Sequence, residues 1–344
     1  MKIGFLGGGV NSIAGKVHLI ASQMDNKFQV VGGIFSSDKE KSEYSANIYG
    51  LKHFNSIKEM SKEVDLVVVL TPTPLHFENL KELLSYDIGI IVDKPLVSNL
   101  ENIEQLNFKD KFVVVTHNYS GYPMIREIKE LIQNGVAGEI KKVVINMYQE
   151  SFFKPLKKNY PQKWRLKDDK LSMIELDLGV HIYHLAHFIL ERDFKLIHKE
   201  LNSFSQFGVI DDCEMLAKSD NILLKLAISK IMLGNANPLN IEVYGEKAGI
   251  KWSQNDNENL YISYFNGKKE ILNRNYCYFE ANKSRYQRMA FGHPSGFIEA
   301  FANLYRDIYD SFIEFRQKGS FNNKFVYDYK HSIDSLKFLL GENR

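Results

Sequence analysis

The chain has 344 residues, of which 44% are hydrophobic and 25% charged, and this ordinary globular composition excludes a disordered or fibrous protein. Its length favours two domains over a single hydrophobic core. Lys and Arg number 44 and Asp and Glu number 42, so no strong field attracts nucleic acid or an anionic membrane, and we expect a small-molecule partner.

The first 120 residues predict a nucleotide-binding domain. Strand-like runs alternate with helix-like stretches, and the strands read KIGFLG, FQVVGGIF, VDLVVVL, IGIIVDK and FVVVTHN. Nearly continuous apolar strands joined by helical crossovers indicate a parallel sheet covered on both faces. We therefore predict a Rossmann-type, doubly wound α/β domain over residues 1–120.

A glycine-rich turn follows the first strand, in the sequence GFLGGGVNSIAGKVH. Gly7 permits the tight turn, and Gly9 lets the backbone approach a pyrophosphate over a helix N-terminus. Ser12 stands where the G-x-G-x-x-G pattern has its last glycine, and Gly15 follows three residues later, so the loop is either longer than usual or closed by serine. A plain tight turn is the alternative to the predicted cofactor loop, which comprises Gly7, Gly9, Val10, Asn11 and Ser12.

The second strand is followed by Ser36, Ser37 and Asp38. An acidic residue commonly binds the ribose hydroxyls of NAD at this point of the fold. The two serines leave space for a 2′-phosphate, no arginine follows to pair with it, and Asp38 can still reach the ribose. We expect these residues to contact the cofactor, and the choice between NAD and NADP stays open.

The next long strand ends in LTPTPLHFENL, at the carboxyl edge where such sheets bind ligands. This segment offers hydroxyl groups and an imidazole to a bound cofactor, and its predicted contact residues are Thr71, Pro72, Thr73 and His76. The alternative is a proline-stiffened turn that only leads into a helix.

The run IIVDKPLVSN carries a lysine at the end of another parallel strand. Lys94 is unusual there because lysine prefers mobile, solvated surface, and the following proline restricts it. A Lys-Pro bond adopts the cis form at modest cost, and a cis bond would turn Lys94 toward a nicotinamide. We predict that Lys94 is catalytic and that Asp93 and Lys94 contact the cofactor; a solvated lysine at a strand end is the alternative.

After Asn118 the pattern changes to that of an α+β domain. YPMIREIKELIQNG predicts a helix and EIKKVVINMYQE a strand, and further strand-like runs follow to about Asn275 without crossover helices. Such strands indicate a large, mostly antiparallel sheet whose free face forms a subunit interface, in a homodimer or homotetramer. We predict a substrate-binding and oligomerisation domain over residues 121–325, and a C-terminal helical segment over 326–344 that packs back on the first domain.

The stretch DLGVHIYHLAH combines one aspartate with three histidines in a segment that is helix-like from about Asp177. Asp177 and His181 lie four residues apart and share a helix face. A helix N-terminus disfavours the imidazolium and a nearby aspartate favours it, which leaves a base that titrates near neutral pH. We favour proton transfer over a zinc site, because no H-E-x-x-H motif or cysteine partner occurs, and we predict no metal.

The remaining features favour a cytoplasmic protein. Cys213 and Cys277 lie far apart and outside C-x-x-C spacing, so they indicate neither a disulfide framework nor a thiolate zinc site. The strand at the N-terminus leaves no room for a secretory signal, and the longest apolar runs are shorter than the ~20 residues of a membrane helix.

Together these motifs resemble the family of glucose-fructose oxidoreductase, inositol dehydrogenase and MocA, which are NAD(P)-dependent oxidoreductases. The resemblance rests on GGG, TPTPLH, DKP and DLGVH in their order and spacing, and extends over THNYSGYPMIREIKELIQNGVAGEI, VYGEKAGIKW and GHPSGFIEAFANLYRD. It therefore covers essentially the whole chain.

The resemblance implies hydride transfer between nicotinamide and a carbinol carbon of a sugar, cyclitol or sugar nucleotide. It assigns oxygen polarisation to Lys94, with Asp93 replacing the family's glutamate, general-base catalysis to His181, and orientation of that base to Asp177. It also implies a sugar pocket lined by Tyr119, Trp164, Arg165 and His184. The family's usual aspartate is replaced by His184 and a frequent arginine by Ser120, so the substrate is open.

Two other functions share these motifs. One is a redox-assisted glycoside hydrolase or lyase, in which tightly bound NAD oxidises and then re-reduces the same sugar. The other is a non-catalytic cofactor sensor, against which the presence of Lys94, Asp177 and His181 argues.

Overall fold

The structure is a computed structural model that describes residues 1–154 and 160–342. The chain divides into two compact units. The first contains residues Met1–Gly121 and Phe297–Asp334, and the second contains Tyr122–Gly296 and Ser335–Arg344.

Helices and strands are numbered in chain order. The strands are β1 (Lys2–Gly7), β2 (Gln29–Ile34), β3 (Lys52–His53), β4 (Leu66–Leu70), β5 (Gly89–Asp93), β6 (Val113–Thr116), β7 (Ile140–Tyr148), β8 (Lys195–Asn202), β9 (Asp212–Ser219), β10 (Ile222–Ser229), β11 (Leu239–Gly245), β12 (Ala248–Ser253), β13 (Asn259–Tyr264) and β14 (Lys269–Asn273). The helices are α1 (Ile13–Gln23), α2 (Lys39–Tyr49), α3 (Ile57–Met60), α4 (His76–Leu83), α5 (Pro123–Gln133), α6 (Val180–Leu190), α7 (Phe297–Lys318) and α8 (Tyr329–Leu340).

The first unit contains the parallel sheet that the sequence predicts. Among the described residues its strand order is β3-β2-β1-β4-β5-β6, and every adjacent pair is parallel. The apolar run LVVVL of β4 is buried along its whole length, because strands on either side and crossover segments on both faces exclude water. This confirms the Rossmann-type fold, with the carboxyl ends of β1, β4 and β5 at one edge of the sheet.

Helix α7 completes the core of this first unit. Phe301, Leu304 and Ile308 are buried in one hydrophobic cluster with Ile3 and Val68 of the sheet. The sequence pattern assigns residues 297–325 to the second domain because they follow its strands in the chain. Their apolar face instead packs against the parallel sheet, so residues 297–325 group with the first unit.

The second unit contains a mostly antiparallel sheet, as predicted. Its strand order in the described chain is β14-β13-β12-β11-β7-β10-β9-β8, and β7 and β10 form its one parallel pair. The parallel pair arises because α6 follows β7 and the chain then returns through the antiparallel series β8, β9 and β10. The short strand β3 is not among the strands that the sequence pattern predicts.

The C-terminal segment does not group with a single unit. Residues of α8 up to Asp334 belong to the first unit, and those from Ser335 to the second. The packing of residues 326–344 on the first domain stays a prediction; residues 343 and 344 lie outside the described part. None of the described helices combines the length and the apolar character needed to span a bilayer.

Candidate active site

The turn after β1 has a backbone that requires glycine. Gly7 and Gly8 adopt φ angles of +89° and +74°, a region that side chains disfavour. A Cβ on Gly7 would also lie 2.6 Å from the carbonyl carbon of Leu70, at the end of β4. The chain therefore turns tightly at the carboxyl end of the sheet, as predicted.

The first helix begins directly after this turn. Ser12 is the N-cap of α1, and its hydroxyl accepts a hydrogen bond from the Gly15 amide at 3.0 Å. Gly15 lies so close to the Gly8 backbone that a Cβ there would clash with the Gly8 carbonyl oxygen. The sequence left the roles of Ser12 and Gly15 open. In the structure Ser12 closes the loop, and Gly15 allows α1 to pack against it.

This loop fits an anionic pyrophosphate. A Cβ on Gly9 would lie 2.9 Å from both the Phe35 carbonyl oxygen and the Ser45 hydroxyl, so only glycine leaves the backbone at this depth. Asn11 is exposed, and α1 has no acidic residue in its first turn to repel a phosphate. The free amides of a helix N-terminus attract such an anion.

The end of β2 is organised by a helix cap. Asp38 caps α2 by accepting a hydrogen bond from the Lys41 amide at 3.1 Å, and its own amide is held by the Ser36 hydroxyl at 3.2 Å. The hydrogen bond from the Lys41 amide holds the pKa of the exposed Asp38 carboxyl below its usual range. The Lys41 ammonium lies 3.4 Å from the second carboxylate oxygen, so a cation that the sequence pattern does not single out also stands at this point.

The segment after β4 is held by side chains from α4. The two ring nitrogens of His76 lie 2.9 Å from the Thr71 carbonyl oxygen and 2.8 Å from that of Pro95, and the ring is buried. Burial lowers the pKa of His76 although both carbonyl contacts oppose this shift. The Thr71 hydroxyl accepts a hydrogen bond from Asn79, while Thr73 is buried at the start of a short turn after Pro72. Direct cofactor contacts of these residues stay predictions.

Asp93 ends β5 and anchors the residue that follows it. One of its oxygens accepts hydrogen bonds from the Lys94 amide at 3.0 Å and from the Thr116 hydroxyl at 2.9 Å. Burial opposes ionisation, but His18, Lys94 and Thr116 together hold the pKa of Asp93 well below its usual range. The Lys94–Pro95 peptide bond is cis. The hydrogen bond to Asp93 holds the Lys94 backbone at the same sheet edge as the glycine turn.

Tyr119 belongs to a short turn, Asn118–Gly121, that follows β6 in the first unit. Its ring is buried and meets the ring of Phe297 edge to face, with centroids 5.9 Å apart. The role of Tyr119 in a sugar pocket stays a prediction.

In the second unit, Asp177 lies between two cations. Its Oδ1 is 3.0 Å from the Arg165 guanidinium and its Oδ2 is 2.8 Å from the Lys230 ammonium. The Lys230 side chain is only 6% exposed, whereas that of Arg165 is 36% exposed. Two cations beside one carboxylate give this cluster a net charge of about +1.

Asp177 lies in a π-helical turn, Glu175–Gly179, and not in an α-helix as the sequence predicts. Met173 and Ile174 before this turn are α-helical, and the α-helix resumes at Val180, which makes His181 the second residue of α6. Glu175 holds the wide turn: one of its oxygens accepts bonds from the Ser172 amide and hydroxyl, and the other contacts the Lys199 ammonium at 2.7 Å. The turn is therefore fixed by buried polar groups.

The other residues predicted for the second-unit site lie on two nearby segments of the chain. His181 and His184 are buried on α6, at 6% and 1% exposure. Trp164 and Arg165 share a short turn, Lys163–Leu166, and the guanidinium carbon lies 4.4 Å from the indole centroid. The cation–π contact positions Arg165 at Asp177. Substrate contact by these residues stays a prediction.

Sequence reasoning missed Lys230, which directly follows β10. It lies 53 residues from Asp177, so no local spacing connects the two. The signal that could have found it is the one that selected Lys94, namely a lysine directly after an apolar strand, LKLAIS.

Comparison with known proteins agrees with this architecture. Residues 1–108 match the model of the oxidoreductase family with an NAD-binding Rossmann fold, and residues 125–251 match the GFO/IDH/MocA C-terminal domain. The chain belongs to the GFO/IDH/MocA family. It is therefore an NAD-binding oxidoreductase, as the resemblance implied.

Similar proteins cover nearly the whole GFO/IDH/MocA chain. An uncharacterized oxidoreductase, YfiI of Bacillus subtilis (strain 168), is 26% identical over 330 residues, spanning 89% of this chain and 84% of that protein. A crystal structure of an oxidoreductase from Sinorhizobium meliloti is 28% identical, with a TM-score of 0.83 and coverage of 98% and 95%. An inositol dehydrogenase homolog from Azotobacter vinelandii, complexed with NADH and myo-inositol, is 22% identical, with a TM-score of 0.87 and coverage of 98% and 93%.

Proposed function

We propose that this protein transfers a hydride between NAD or NADP and a hydroxyl-bearing carbon of a sugar, cyclitol or sugar nucleotide. The observation that carries the proposal is the anchored Asp93–Lys94 turn at the same sheet edge as the glycine loop. A lysine whose backbone is held at the mouth of a nucleotide-binding sheet is suited to polarise a substrate oxygen with its amine. The myo-inositol bound by a protein of the same fold supports a polyhydroxylated substrate.

The residue roles are part of this proposal. When bound, the cofactor accepts or returns a hydride at its nicotinamide. His181 removes the hydroxyl proton in the oxidation direction and returns it in reduction, because an imidazole can act as both a general base and a general acid. Lys94 donates a hydrogen bond to the same oxygen and stabilises its developing negative charge.

We propose that Asp177 orients His181 without itself taking up a proton. The contacts with Arg165 and Lys230 favour the ionised carboxylate, because two positively charged groups lie within hydrogen-bonding distance of it. The substrate hydroxyls would meet the polar and aromatic groups that the resemblance implies, which are Tyr119, Trp164, Arg165 and His184.

The decisive experiment follows reduced nicotinamide by absorbance with either cofactor and a panel of sugars, cyclitols and nucleotide sugars. Lys94→Ala and His181→Ala should each lower turnover by at least ~100-fold, as expected for the loss of acid–base or electrostatic assistance. NADH affinity, measured by fluorescence, should change little. Lys81→Ala, at an exposed lysine of α4, is the matched control and should retain full turnover.

Two results would reject this function. Unchanged turnover in both Lys94→Ala and His181→Ala would remove the proposed roles. Cleavage of a glycoside with no net change in NADH would instead identify a redox-assisted hydrolase or lyase.

We further propose a cytoplasmic homodimer or homotetramer that associates through the second-unit sheet. Its strands carry exposed apolar side chains, namely Ile197, Leu201, Tyr261 and Ile271. Both cysteines are buried free thiols, which suits a reducing compartment. Light scattering coupled to size-exclusion chromatography tests the assembly, and a monomer at micromolar concentration would contradict it; cell fractionation tests the location.

A further inference from the structure

A buried line of polar side chains links helix α7 to the Lys94 turn. The Tyr305 hydroxyl lies 2.6 Å from Nδ1 of His18, and Nε2 of His18 lies 3.7 Å from Oδ1 of Asp93. His18 and Tyr305 are 0% and 1% exposed. All three side chains belong to the first unit, and Asp93 is the residue whose carboxylate accepts the Lys94 amide.

Charge and burial define the protonation of the two groups at the ends of this line. Burial and the charge of Asp93 raise the pKa of Tyr305 well above its usual value, so the phenol keeps its proton. The pKa of Asp93 lies well below its usual range, so the carboxylate accepts only. Nε2 of His18 therefore faces an acceptor, the Asp93 carboxylate, and Nδ1 lies within hydrogen-bonding distance of the Tyr305 hydroxyl.

His18 also belongs to α1, the helix that is predicted to receive the cofactor. It lies on α1, whose N-terminus forms the glycine loop, and its ring packs edge to face against Phe301 of α7, with centroids 4.8 Å apart. The Phe301 and Tyr305 contacts leave the His18 ring little freedom, because both neighbours belong to one helix. The position of Nε2 is thus set by the core and not by solvent.

We propose that His18 and Tyr305 are positioning residues for hydride transfer: they hold the Asp93 carboxylate, which fixes the backbone of Lys94 and so the direction of its amine. The line couples the helix that receives the cofactor to the turn that carries the proposed catalytic lysine. The inference rests on the proposed role of Lys94. A merely structural pair in the core would stabilise the fold without affecting the Lys94 turn in particular.

The first test measures hydrogen exchange of the Lys94 amide in the protein without ligands. Tyr305→Phe keeps the ring and removes only the hydroxyl that orients His18. We expect it to speed exchange at Lys94 by roughly threefold to tenfold, the effect of losing one ordinary hydrogen bond. Tyr309→Phe, one turn along α7 and packed against Phe28, is the matched control and should leave this rate unchanged.

Substitutions of His18 give an ordered series. His18→Gln retains a side-chain N–H that can reach Asp93, whereas His18→Leu removes every donor. Exchange at Lys94 should therefore be faster in His18→Leu than in His18→Gln. Equal exchange in these two variants, or in Tyr305→Phe and Tyr309→Phe, would overturn the proposal; because Tyr305→Phe is conservative, failure of His18→Leu to fold leaves the test intact.

A double-mutant cycle then connects the line to turnover. Tyr305→Phe should lower kcat by roughly fivefold in the native background and by less than ~2-fold in an Asp93→Asn background, because both changes act through one carboxylate. NADH affinity should stay within about twofold in Tyr305→Phe and in the two His18 variants, as none of them removes a group that is predicted to contact the cofactor. Additive effects on kcat would overturn the coupling. If Lys94→Ala retains turnover, the proposed role of Lys94 fails, whereas the exchange rates still decide whether His18 and Tyr305 hold its backbone.

Discussion

The glycine loop of the first unit and the Asp177 turn of the second position their functional groups by different means. In the glycine loop the backbone determines the shape, through positive φ angles at Gly7 and Gly8 and the close approach of Gly15. In the Asp177 turn, side chains from distant segments do so, through Arg165, Lys230 and the Glu175 contacts. A backbone-built site depends on local sequence, whereas a side-chain-built site depends on tertiary structure.

The largest effect that can break this comparison is expected for Gly15→Ala. The new methyl group must displace either α1 or the Gly8 backbone, which we expect to cost about 3 kcal/mol of stability. If the glycine loop moves and α1 stays in place, we expect NADH affinity to fall by roughly 100-fold, which is the equivalent of that energy. Isothermal calorimetry and urea denaturation measure both quantities.

Gly50→Ala is the control for this change. Gly50 has a φ of +65°, and a methyl group added to it would meet no atom within 4 Å, so this variant tests conformation without a clash. We expect a loss of about 1 kcal/mol and native NADH affinity. Equal NADH affinity in the Gly15→Ala and Gly50→Ala variants would refute the backbone-built description of the loop.

The matching test of the side-chain-built site is Lys230→Met. Removing one of two cations from a largely buried carboxylate should cost about 3 kcal/mol in the free energy of unfolding. The same change should lower kcat more than it raises KM for the substrate, because Asp177 then loses its fixed orientation. Lys225→Met, on the strand β10 that Lys230 follows, removes a lysine that is 49% exposed and should be nearly neutral. Unchanged stability and kinetics in Lys230→Met would show that Arg165 alone is enough to hold Asp177.

In the first unit, the buried His117 should make stability depend on pH. Burial, and then the charge of Lys94, lowers the pKa of His117 to about 3, although Asp93 opposes this. His117 stays neutral in the folded protein in weak acid, whereas in the unfolded chain it takes up a proton. Its contribution to stability is therefore fully present above pH ~6.5 and is lost as the pH falls. This single group should account for about 2 kcal/mol between pH 7 and pH 5.

Denaturation curves across this pH range, with and without His117→Gln, test that value. The variant should be less sensitive to acid by about the same 2 kcal/mol. His198→Gln, at a histidine that is 66% exposed, should leave the pH dependence of the native protein unchanged. A parallel pH dependence for His117→Gln and the native protein would exclude a buried neutral His117.

The smallest effect, expected for Ser12→Ala, sharpens the comparison within the glycine loop. Loss of this N-cap should lower stability by about 1 kcal/mol. Ser56→Ala removes an equivalent cap, the bond from the Glu59 amide on α3, and should cost a similar amount. Only Ser12→Ala should also weaken NADH binding, by roughly twofold to fivefold, since only that cap orients α1 toward the loop. Unequal stability losses with equal NADH affinities would contradict this reasoning.

The contrast also explains what the sequence could and could not predict. The parallel sheet and the glycine turn were predictable because apolar strand runs and glycine spacing are local signals. The grouping of α7 with the first unit was not, because an amphipathic helix does not record which sheet covers its apolar face. The contact between Lys230 and Asp177 joins residues far apart in the chain, and an exposed and a buried lysine look alike in sequence.

The wide turn at Glu175–Gly179 has a consequence for how this protein tolerates insertions and deletions. A π-helical turn holds about one residue more than an α-helical turn, so it accommodates an extra residue within nearly the same rotation about the helix axis. Removing a single residue here would let the segment become a regular helix with little rotation of α6, whereas removing one from a regular α-helical turn would rotate the following residues by about 100°. We therefore expect this turn to tolerate a one-residue deletion while the His181 imidazole keeps its direction.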